Sequence, residues 1–163
     1  MPTTVLHDTF VLEREFPVTP DRVFAAFADL ETKQRWFGGF DDWTSDGEHT
    51  LDFRVGGTEH EAGGPPGGFV STFDAIYLDI VPDERIIYTY SMTIDAVPLS
   101  VSLATVEIAP TAGGARLRIT EHGAYFDAAD GPAQRVEGTE HLMDKIGAVF
   151  AADLAAANGS GAP

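Results

Sequence analysis

The sequence predicts an α+β fold in which a curved antiparallel sheet of about six or seven strands wraps around one long C-terminal helix. Residues 132–157 form the longest run with a helical hydrophobic period, with apolar side chains at spacings of three and four. Most of the chain before that run alternates as short strands do, apart from two helical stretches after the first strand. A twisted meander of this length curls, and the long helix is the element that can fill its concave face. We therefore expect a cavity between helix and sheet unless side chains fill it.

The composition is that of one globular domain with an acidic surface. The 163 residues suffice for a sizeable core, so we expect a single domain over 1–163 with its core at about 9–157. The formal net charge of -16 and the lack of a basic cluster argue against nucleic acid and against a membrane as partners. The absence of cysteine excludes disulfides and thiol catalysis. The opening residues do not read as a signal peptide, and the expected location is cytoplasmic.

The first quarter of the chain predicts one strand and two short helices. Residues 9–16 alternate between apolar and other side chains, as a strand with one buried face does. Thr19 is the expected N-cap of a helix that ends near Asp29. Residues 31–36 predict a second short helix, which stops at Gly38. We expect this pair of helices to cover one end of the sheet.

The rest of the chain predicts strands joined by turns, and then the long helix. Alternating apolar residues predict strands over 49–55, 69–81, 85–94, 100–109 and 115–122. The stretch 56–68 (GGTEHEAGGPPGG) is too rich in glycine and proline for regular structure, so a mobile connection is expected there. Pro132 suits the first turn of the helix over 132–157, and Gly159 and Gly161 end its pattern.

Three segments resemble one protein family. The opening REFPVTPDRVFAAFADLETKQRWFGG (14–39) is similar to the start of the SRPBCC, or START-like, superfamily, and more narrowly to the domain of heat-shock protein 90 ATPase activator homologues. LDFRVGGTEHE (51–61) resembles the second strand of that family and its Val-Gly-Gly turn. ARLRITEHGAYFDAADGPAQRVEGTEHLMDKIGA (115–148) resembles its last strand and closing helix. The resemblance implies a helix-grip fold with a hydrophobic pocket. Many members carry Gly-Trp early in the last helix, whereas Thr139 follows Gly138 here, so the pocket is expected to be reshaped.

The predicted cavity is bounded by the inward faces of the strands, the short helices and one face of the long helix. Its candidate lining residues are Phe24, Trp36, Phe53, Phe73, Tyr88, Tyr90, Glu121, Thr139, Leu142, Met143 and Ile146. Along the helix, 138–143 is expected to form the pocket wall, while 146–154 packs on the sheet as core.

Glu121 is the candidate catalytic residue. It alternates with Leu117 and Ile119 on the last predicted strand, so it faces the concavity if they do. A carboxylate buried there needs a partner or a raised pKa, which suits an acid, a base or a contact to a ligand's polar group. The alternative is that Glu121 leaves the sheet into solvent or pairs with an arginine.

Aromatic residues offer further candidates with two interpretations each. Tyr88 and Tyr90 share a face, where their hydroxyls either orient a ligand or are satisfied within the core. Trp36, Phe37 and Phe40 surround a pair of glycines and form either a gate or a hydrophobic plug.

Motifs for metals and nucleophiles predict no site. Glu59, His60 and Glu61 are adjacent in a strand-like loop, so their side chains diverge. Glu137 and His141 lie four apart on the long helix and would need a third ligand from elsewhere. The glycine-rich stretch lacks the Gly-Lys-Ser/Thr ending of a phosphate loop, and no Gly-x-Ser-x-Gly elbow is present. We expect neither a metal nor a cofactor.

These observations favour a protein that binds a small apolar or amphipathic molecule, with access between the short helices and 56–68. The first alternative is an enzyme of the cyclase or dehydratase type, with Glu121 as acid or base and a tyrosine as oxyanion donor. The second alternative is a chaperone-interacting protein, which the resemblance alone implies; we rank it last because we expect no extra N-terminal domain of the kind that such activators carry. Ligand identity, catalysis and a homodimeric state are left open.

Overall fold

The computed structural model describes residues 4–126 and 131–159 of the chain. The elements in chain order are β1 (Leu6–Phe16), α1 (Pro20–Ala28), α2 (Leu30–Lys33), β2 (Thr44–Ser45), β3 (Thr50–Leu51), β4 (Thr58–Gly64), β5 (Ser71–Val81), β6 (Arg85–Ile94), β7 (Val97–Thr111), β8 (Gly114–Tyr125) and α3 (Pro132–Gly159). The predicted α+β helix-grip fold is confirmed. The long helix begins at Pro132 as predicted and extends to Gly159, whereas Gly161 lies outside the described residues.

The described strands form one antiparallel sheet of eight strands, in the order β1-β8-β7-β6-β5-β4-β2, and β3 also pairs with β4. The first strand closes on the last, from Leu6 opposite Tyr125 to Phe16 opposite Ala115. This pairing brings the helices that follow β1 back over the sheet, where α1 contacts β7 and β8 and α3 contacts β1. The helices therefore lie on one face of the curved sheet.

The core lies between the concave face of the sheet and the helices. Its largest cluster includes residues from α1, α3 and the strands β1 and β5 to β8, among them Phe16, Val23, Phe27, Tyr77, Ile86, Leu117, Ile146 and Phe150. The rings of Phe16 and Phe150 meet edge to face with centroids 5.2 Å apart, so the first strand and the last helix pack directly on each other.

The last turn of α3 departs from the predicted apolar stripe. Leu154 is 39% exposed and does not pack as core. Asp153 in the same turn pairs instead with Arg22 of α1 and with Arg35, whose Nη2 lies 2.8 Å from Oδ1 of Asp153. Charged side chains, and not apolar packing, therefore hold this turn to the short helices.

The prediction for 49–68 was wrong in two respects. Only Thr50–Leu51 is strand in the first half, because the chain turns after Asp52, where the amide of Gly57 donates to the carbonyl of Arg54 at 2.8 Å. The stretch expected to lack regular structure contains β4. Its glycines permit close strand pairing, since a Cβ on Gly64 would lie 1.8 Å from the carbonyl oxygen of Phe69. Gly64 is therefore needed because the backbone at Phe69 passes close to it, and not because the segment is a flexible loop.

The outer face of the sheet carries apolar side chains that no described element covers. On β5, Phe73 and Tyr77 point into the concave side, while Ile76 and Leu78 on the opposite face are about half exposed. The functional description below concerns the concave side, where the side chains of sheet and helices converge.

Candidate functional site

A cavity of about 210 Å³ lies between the concave face of the sheet, the segment after α2 and the first half of α3. Most of its wall is aromatic or aliphatic. The lining residues are Phe27, Lys33, Trp36, Phe37, Gly38, Gly39, Phe40, Trp43, Glu61, Ser71, Phe73, Tyr88, Tyr90, Met92, Ile119, Glu121, Arg135, Gly138, Thr139, His141, Leu142, Met143 and Ile146.

The structure places all but two of the candidate lining residues around this cavity. Phe24 and Phe53 lie apart from it and stack edge to face on each other, with ring centroids 5.6 Å apart. The wall formed by α3 includes Gly138, Thr139 and Met143, in the segment where the sequence predicted it. That these residues bind a ligand remains a prediction.

Glu121 lies on the cavity wall and is only 3% exposed. The Tyr90 hydroxyl donates a hydrogen bond to its Oε1, and Nη1 of Arg135 lies 3.7 Å from the same oxygen. Arg135 is fixed in turn by donating to the Tyr90 hydroxyl at 2.9 Å and to Oγ of Ser100 at 2.7 Å. The sequence analysis offered a Glu121 that faces the cavity or one that pairs with an arginine. The structure combines the two, because Glu121 faces the cavity and lies next to Arg135.

Burial raises the pKa of Glu121, although the hydrogen bond from Tyr90 and the charge of Arg135 oppose the shift. Burial and the nearby Glu121 also raise the pKa of Tyr90, which therefore remains a hydrogen-bond donor at neutral pH. A carboxyl group in such surroundings can hold or release a proton closer to neutrality than an exposed glutamate can.

Replacing Glu121 with glutamine should change how stability depends on pH. Because the raised pKa means that the folded state binds this proton more tightly than the unfolded chain, the stabilisation is complete below the ordinary value of about 4.5 and is lost as the pH rises through the folded-state pKa. We expect urea unfolding across this range to show wild type losing stability relative to Glu121→Gln. Glu140→Gln, on the exposed side of α3, is the control. A wild-type advantage that grows with pH would contradict the expectation and show that the Arg135 pair dominates.

Three polar groups on the cavity wall have no hydrogen-bond partner among the residues that the structure describes: the Tyr88 hydroxyl, the Glu61 carboxylate and Nε2 of His141. Burial raises the pKa of Tyr88 far above its usual value, so its hydroxyl stays protonated. Burial also raises the pKa of Glu61. Nε2 of His141 is fully buried and Tyr88 and Glu61 are half-buried, and since buried polar groups are normally paired, these are the groups that a ligand's polar atoms would satisfy.

A second polar cluster lies beside the cavity and joins α2 to β4 and β5. Nζ of Lys33 lies 2.6 Å from Oε1 of Glu59, and the Tyr77 hydroxyl donates to the same oxygen at 2.6 Å. Nε2 of His49 lies 2.7 Å from the other oxygen, Oε2. Lys33 is 2% exposed and Glu59 is 1% exposed, so their charges are almost fully withdrawn from water. Within this cluster Lys33 is the member that lines the cavity.

In this cluster, burial and the attraction between opposite charges shift the pKa values of Lys33 and Glu59 in opposing directions. Burial lowers the pKa of Lys33, and the attraction of Glu59 opposes this shift without cancelling it. Burial alone would raise the pKa of Glu59, but the Lys33 ammonium and the hydrogen bonds from His49 and Tyr77 hold it below its usual value. The ring of Phe37 lies 4.7 Å from Nζ of Lys33, which adds a cation–π contact to the cluster.

The segment after α2 forms one side of the cavity. Phe40 stacks near His141 of α3 with ring centroids 5.2 Å apart, and Trp43 meets Phe69 at 5.5 Å. Gly39 allows this arrangement, because a Cβ there would lie 1.9 Å from the Trp43 ring. Phe40 is 51% exposed, whereas Trp36 is 3% exposed and donates from Nε1 to the carbonyl of Ala26. Phe40 thus lies on the cavity wall with its ring half exposed, whereas Trp36 lines the cavity as part of the core, and the choice between gate and plug stays a prediction.

Sequence reasoning missed the basic residues of the site. No sequence pattern singled out Lys33 or Arg135, and Glu59 was expected to lie in the glycine-rich connection over 56–68. One available signal was the scarcity of lysine, since Lys33 and Lys145 are the two lysines of the chain. The apolar residues around Lys33 in the short-helix segment, Trp36 and Phe37, were the other signal.

Among the described residues, no group of three or more histidine, aspartate or glutamate side chains is placed to hold a metal ion. Glu137 is exposed, whereas His141 stacks on Phe40. No helix in the described ranges is long and apolar enough to cross a membrane.

Comparisons with known proteins bear on the same fold. Residues 17–151 match the family model described as Activator of Hsp90 ATPase homolog 1-like protein. No curated protein matches the chain.

Solved structures resemble the chain over most of its length. A protein of Rhizobium leguminosarum is 34% identical with a TM-score of 0.86, covering 92% of this chain and 98% of its own. A protein of Rhizobium loti is 45% identical with a TM-score of 0.82, covering 90% of this chain and 99% of its own. An AHSA1 protein of Silicibacter pomeroyi is 22% identical with a TM-score of 0.72, covering 90% and 99%, and this likeness concerns the fold alone.

Proposed function

The chain belongs to the family of Activator of Hsp90 ATPase homolog 1-like proteins, and on that premise we propose that it binds one small, largely apolar molecule between its sheet and α3. The observation that carries the proposal is the cavity of about 210 Å³, whose wall is mainly aromatic and aliphatic. Pockets for drug-sized ligands span roughly 300–1,000 Å³. The ligand is therefore smaller than a typical drug, on the scale of two or three rings or a chain of moderate length.

The polar groups of the cavity wall that have no partner indicate that the ligand also carries polar atoms. A buried ring the size of Phe removes roughly 150 Å² from water, which at about 25 cal/mol/Å² contributes about 4 kcal/mol. That alone corresponds to a dissociation constant of about 1 mM. Tighter binding needs polar contacts, which Tyr88, Glu61 and His141 are placed to make. The proposed ligand thus has an apolar body and at least one hydrogen-bonding group.

Filling the cavity tests the proposal. Thr139 is 8% exposed and lies on the wall, at the position where the family resemblance leads one to expect tryptophan. We expect N-phenyl-1-naphthylamine, an uncharged environment-sensitive dye, and members of a fatty-acid panel to bind wild type saturably and compete with each other. Thr139→Trp should weaken dye binding by about tenfold or more, since the loss of one buried ring contact is worth about 1.4 kcal/mol or more.

The matched control places the same side chain one residue later. Glu140 is exposed on α3, so Glu140→Trp adds a tryptophan without entering the cavity. It should bind the dye as wild type does. Absence of saturable binding to wild type, or equal loss in both variants, would rule out the cavity as the binding site.

An enzyme of the cyclase or dehydratase type is the second candidate, favoured by the burial of Glu121 on the cavity wall beside the Tyr90 hydroxyl. A carboxyl group with a raised pKa suits proton transfer to or from a bound carbonyl compound. Glu121→Gln should then abolish turnover while leaving dye binding intact.

The chaperone partner and the homodimer stay predictions for this chain. The family description names activators of the Hsp90 ATPase. Measuring the ATPase rate of Hsp90 with and without the purified protein tests the first directly, and light scattering of the purified protein tests the second.

A further inference from the structure

Lys33 combines burial, a cavity position and two acid–base neighbours. Its side chain is 3% exposed, yet the residue is part of the cavity wall. Nζ lies 2.6 Å from Oε1 of Glu59 and 3.3 Å from the Tyr77 hydroxyl. The amine of a cavity-wall residue therefore meets a carboxylate and a phenol that lie directly behind the wall.

A purely structural role does not account for this placement. Replacing a buried ion pair by apolar residues of similar volume is often neutral or stabilising, so the pair is not needed to fill the core. The cluster is also not enclosed by the core on every side, because Lys33 and its neighbour Phe37 both line the cavity. A bound molecule would thus contact the amine of the cluster, which is a nucleophile once it has lost a proton.

We propose that Lys33 condenses with the carbonyl group of a small aldehyde or ketone held in the cavity, forming an imine. The proposal rests on the ligand-binding function proposed above and narrows the ligand class to carbonyl compounds with an apolar body.

The reaction balances with groups already in place. A proton passes from the Lys33 ammonium to Glu59, and the amine lone pair attacks the carbonyl carbon while the C=O π pair moves to oxygen. The second nitrogen proton is transferred to that oxygen through the Tyr77 hydroxyl, giving a carbinolamine. The C–O bond then breaks as Glu59 returns its proton, water leaves and the nitrogen lone pair forms C=N.

The product preserves the electrostatics of the cluster. The ammonium becomes a protonated imine that carries the same single positive charge, so Glu59 keeps its counter-ion. The Phe37 ring, 4.7 Å from Nζ, can stabilise that cation as it does the ammonium. No oxidant or reductant is required, and the only by-product is water.

The other lysine of the chain, Lys145, is the internal reference for a test of imine formation at Lys33. Lys145, the other lysine, has a side chain 24% exposed against 3% for Lys33, so accessibility alone predicts faster modification of Lys145. The folded protein would be incubated with benzaldehyde and sodium cyanoborohydride at neutral pH, and the benzylated lysine located by peptide mass spectrometry. Among the lysines we expect the benzyl group to be added faster at Lys33 than at Lys145, because burial lowers the pKa of Lys33 and leaves more of its amine unprotonated. In urea the two rates should become equal.

Controls separate this chemistry from ligand binding. Lys145→Arg should still take one benzyl group, Lys33→Arg should take none at that rate, and bound N-phenyl-1-naphthylamine should protect Lys33. Faster labelling of Lys145 in the folded protein overturns the imine proposal. If the dye binds saturably while Lys33 stays unlabelled, the imine proposal fails and the binding function stands; if neither occurs, both fail.

Discussion

Glu59→Leu should lower the free energy of unfolding by about 3–5 kcal/mol, the loss typical of removing one partner from a buried ion pair. The variant leaves the Lys33 ammonium 2% exposed without its counter-ion and takes from the Tyr77 hydroxyl and His49 the acceptor that both contact. Urea unfolding followed by circular dichroism measures the change.

Two further variants decide whether the cause is the unpaired charge. The double variant Lys33→Met/Glu59→Leu should recover most of the loss, because both charges are then removed together. Asp74→Asn, which breaks the exposed pair of Asp74 with His60 on neighbouring strands, should cost no more than about 1 kcal/mol. If the double variant is less stable than Glu59→Leu, the unpaired Lys33 charge is not the cause of the loss, and our account of the cluster is wrong.

Ile146→Ala should destabilise the fold by about 2–5 kcal/mol and enlarge the cavity at the same time. Ile146 is 0% exposed, belongs to the main core cluster and also lines the cavity, so its removal extends the existing space. We expect larger dyes to bind the variant better than wild type, in spite of the lower stability. Differential scanning calorimetry and dye titration measure the two effects.

Leu154→Ala is the matched control on the same helix. Leu154 is 39% exposed in a turn that ion pairs hold in place, so the substitution should change stability by about 0.5 kcal/mol or less. Equal losses in the two variants would contradict the division of α3 into a packed segment and an exposed last turn.

The periodicity of the sequence predicted the overall architecture because it records which faces are buried. The stripe at spacings of three and four gave α3 its start at Pro132 and its buried face, including Met143, Ile146 and Phe150. Alternation likewise predicted the long strands β5 to β8 to within a few residues. Such patterns lie within one segment of the chain, so they can be recognised without knowing which other segments pack against it.

The same reasoning failed where one local composition is compatible with two structures, such as a loop or a tightly paired strand. The glycines of β4 resemble those of a loop, but Gly64 is required by the close approach of Phe69. Phe53 shares an alternating pattern with Leu51, yet the chain turns after Asp52 and leaves Phe53 stacked on Phe24, away from the cavity. Whether the chain turns or continues as a strand after Asp52 depends on the residues that pack against it. Those residues are distant in the sequence, so the local pattern does not record them.

The sequence by itself determined the fold class, the order of the elements and the buried face of α3, whereas the direction of Glu121 was left open until the structure placed it on the cavity wall. Only the tertiary structure decided which polar groups meet. Lys33 and Glu59 are joined across 26 positions and Arg135 and Ser100 across 35, by helices laid over strands whose register brings Tyr90 opposite Ser102. The physical reason is that periodicity fixes the face on which a side chain lies, whereas its partner is fixed by the curvature and register of the whole sheet.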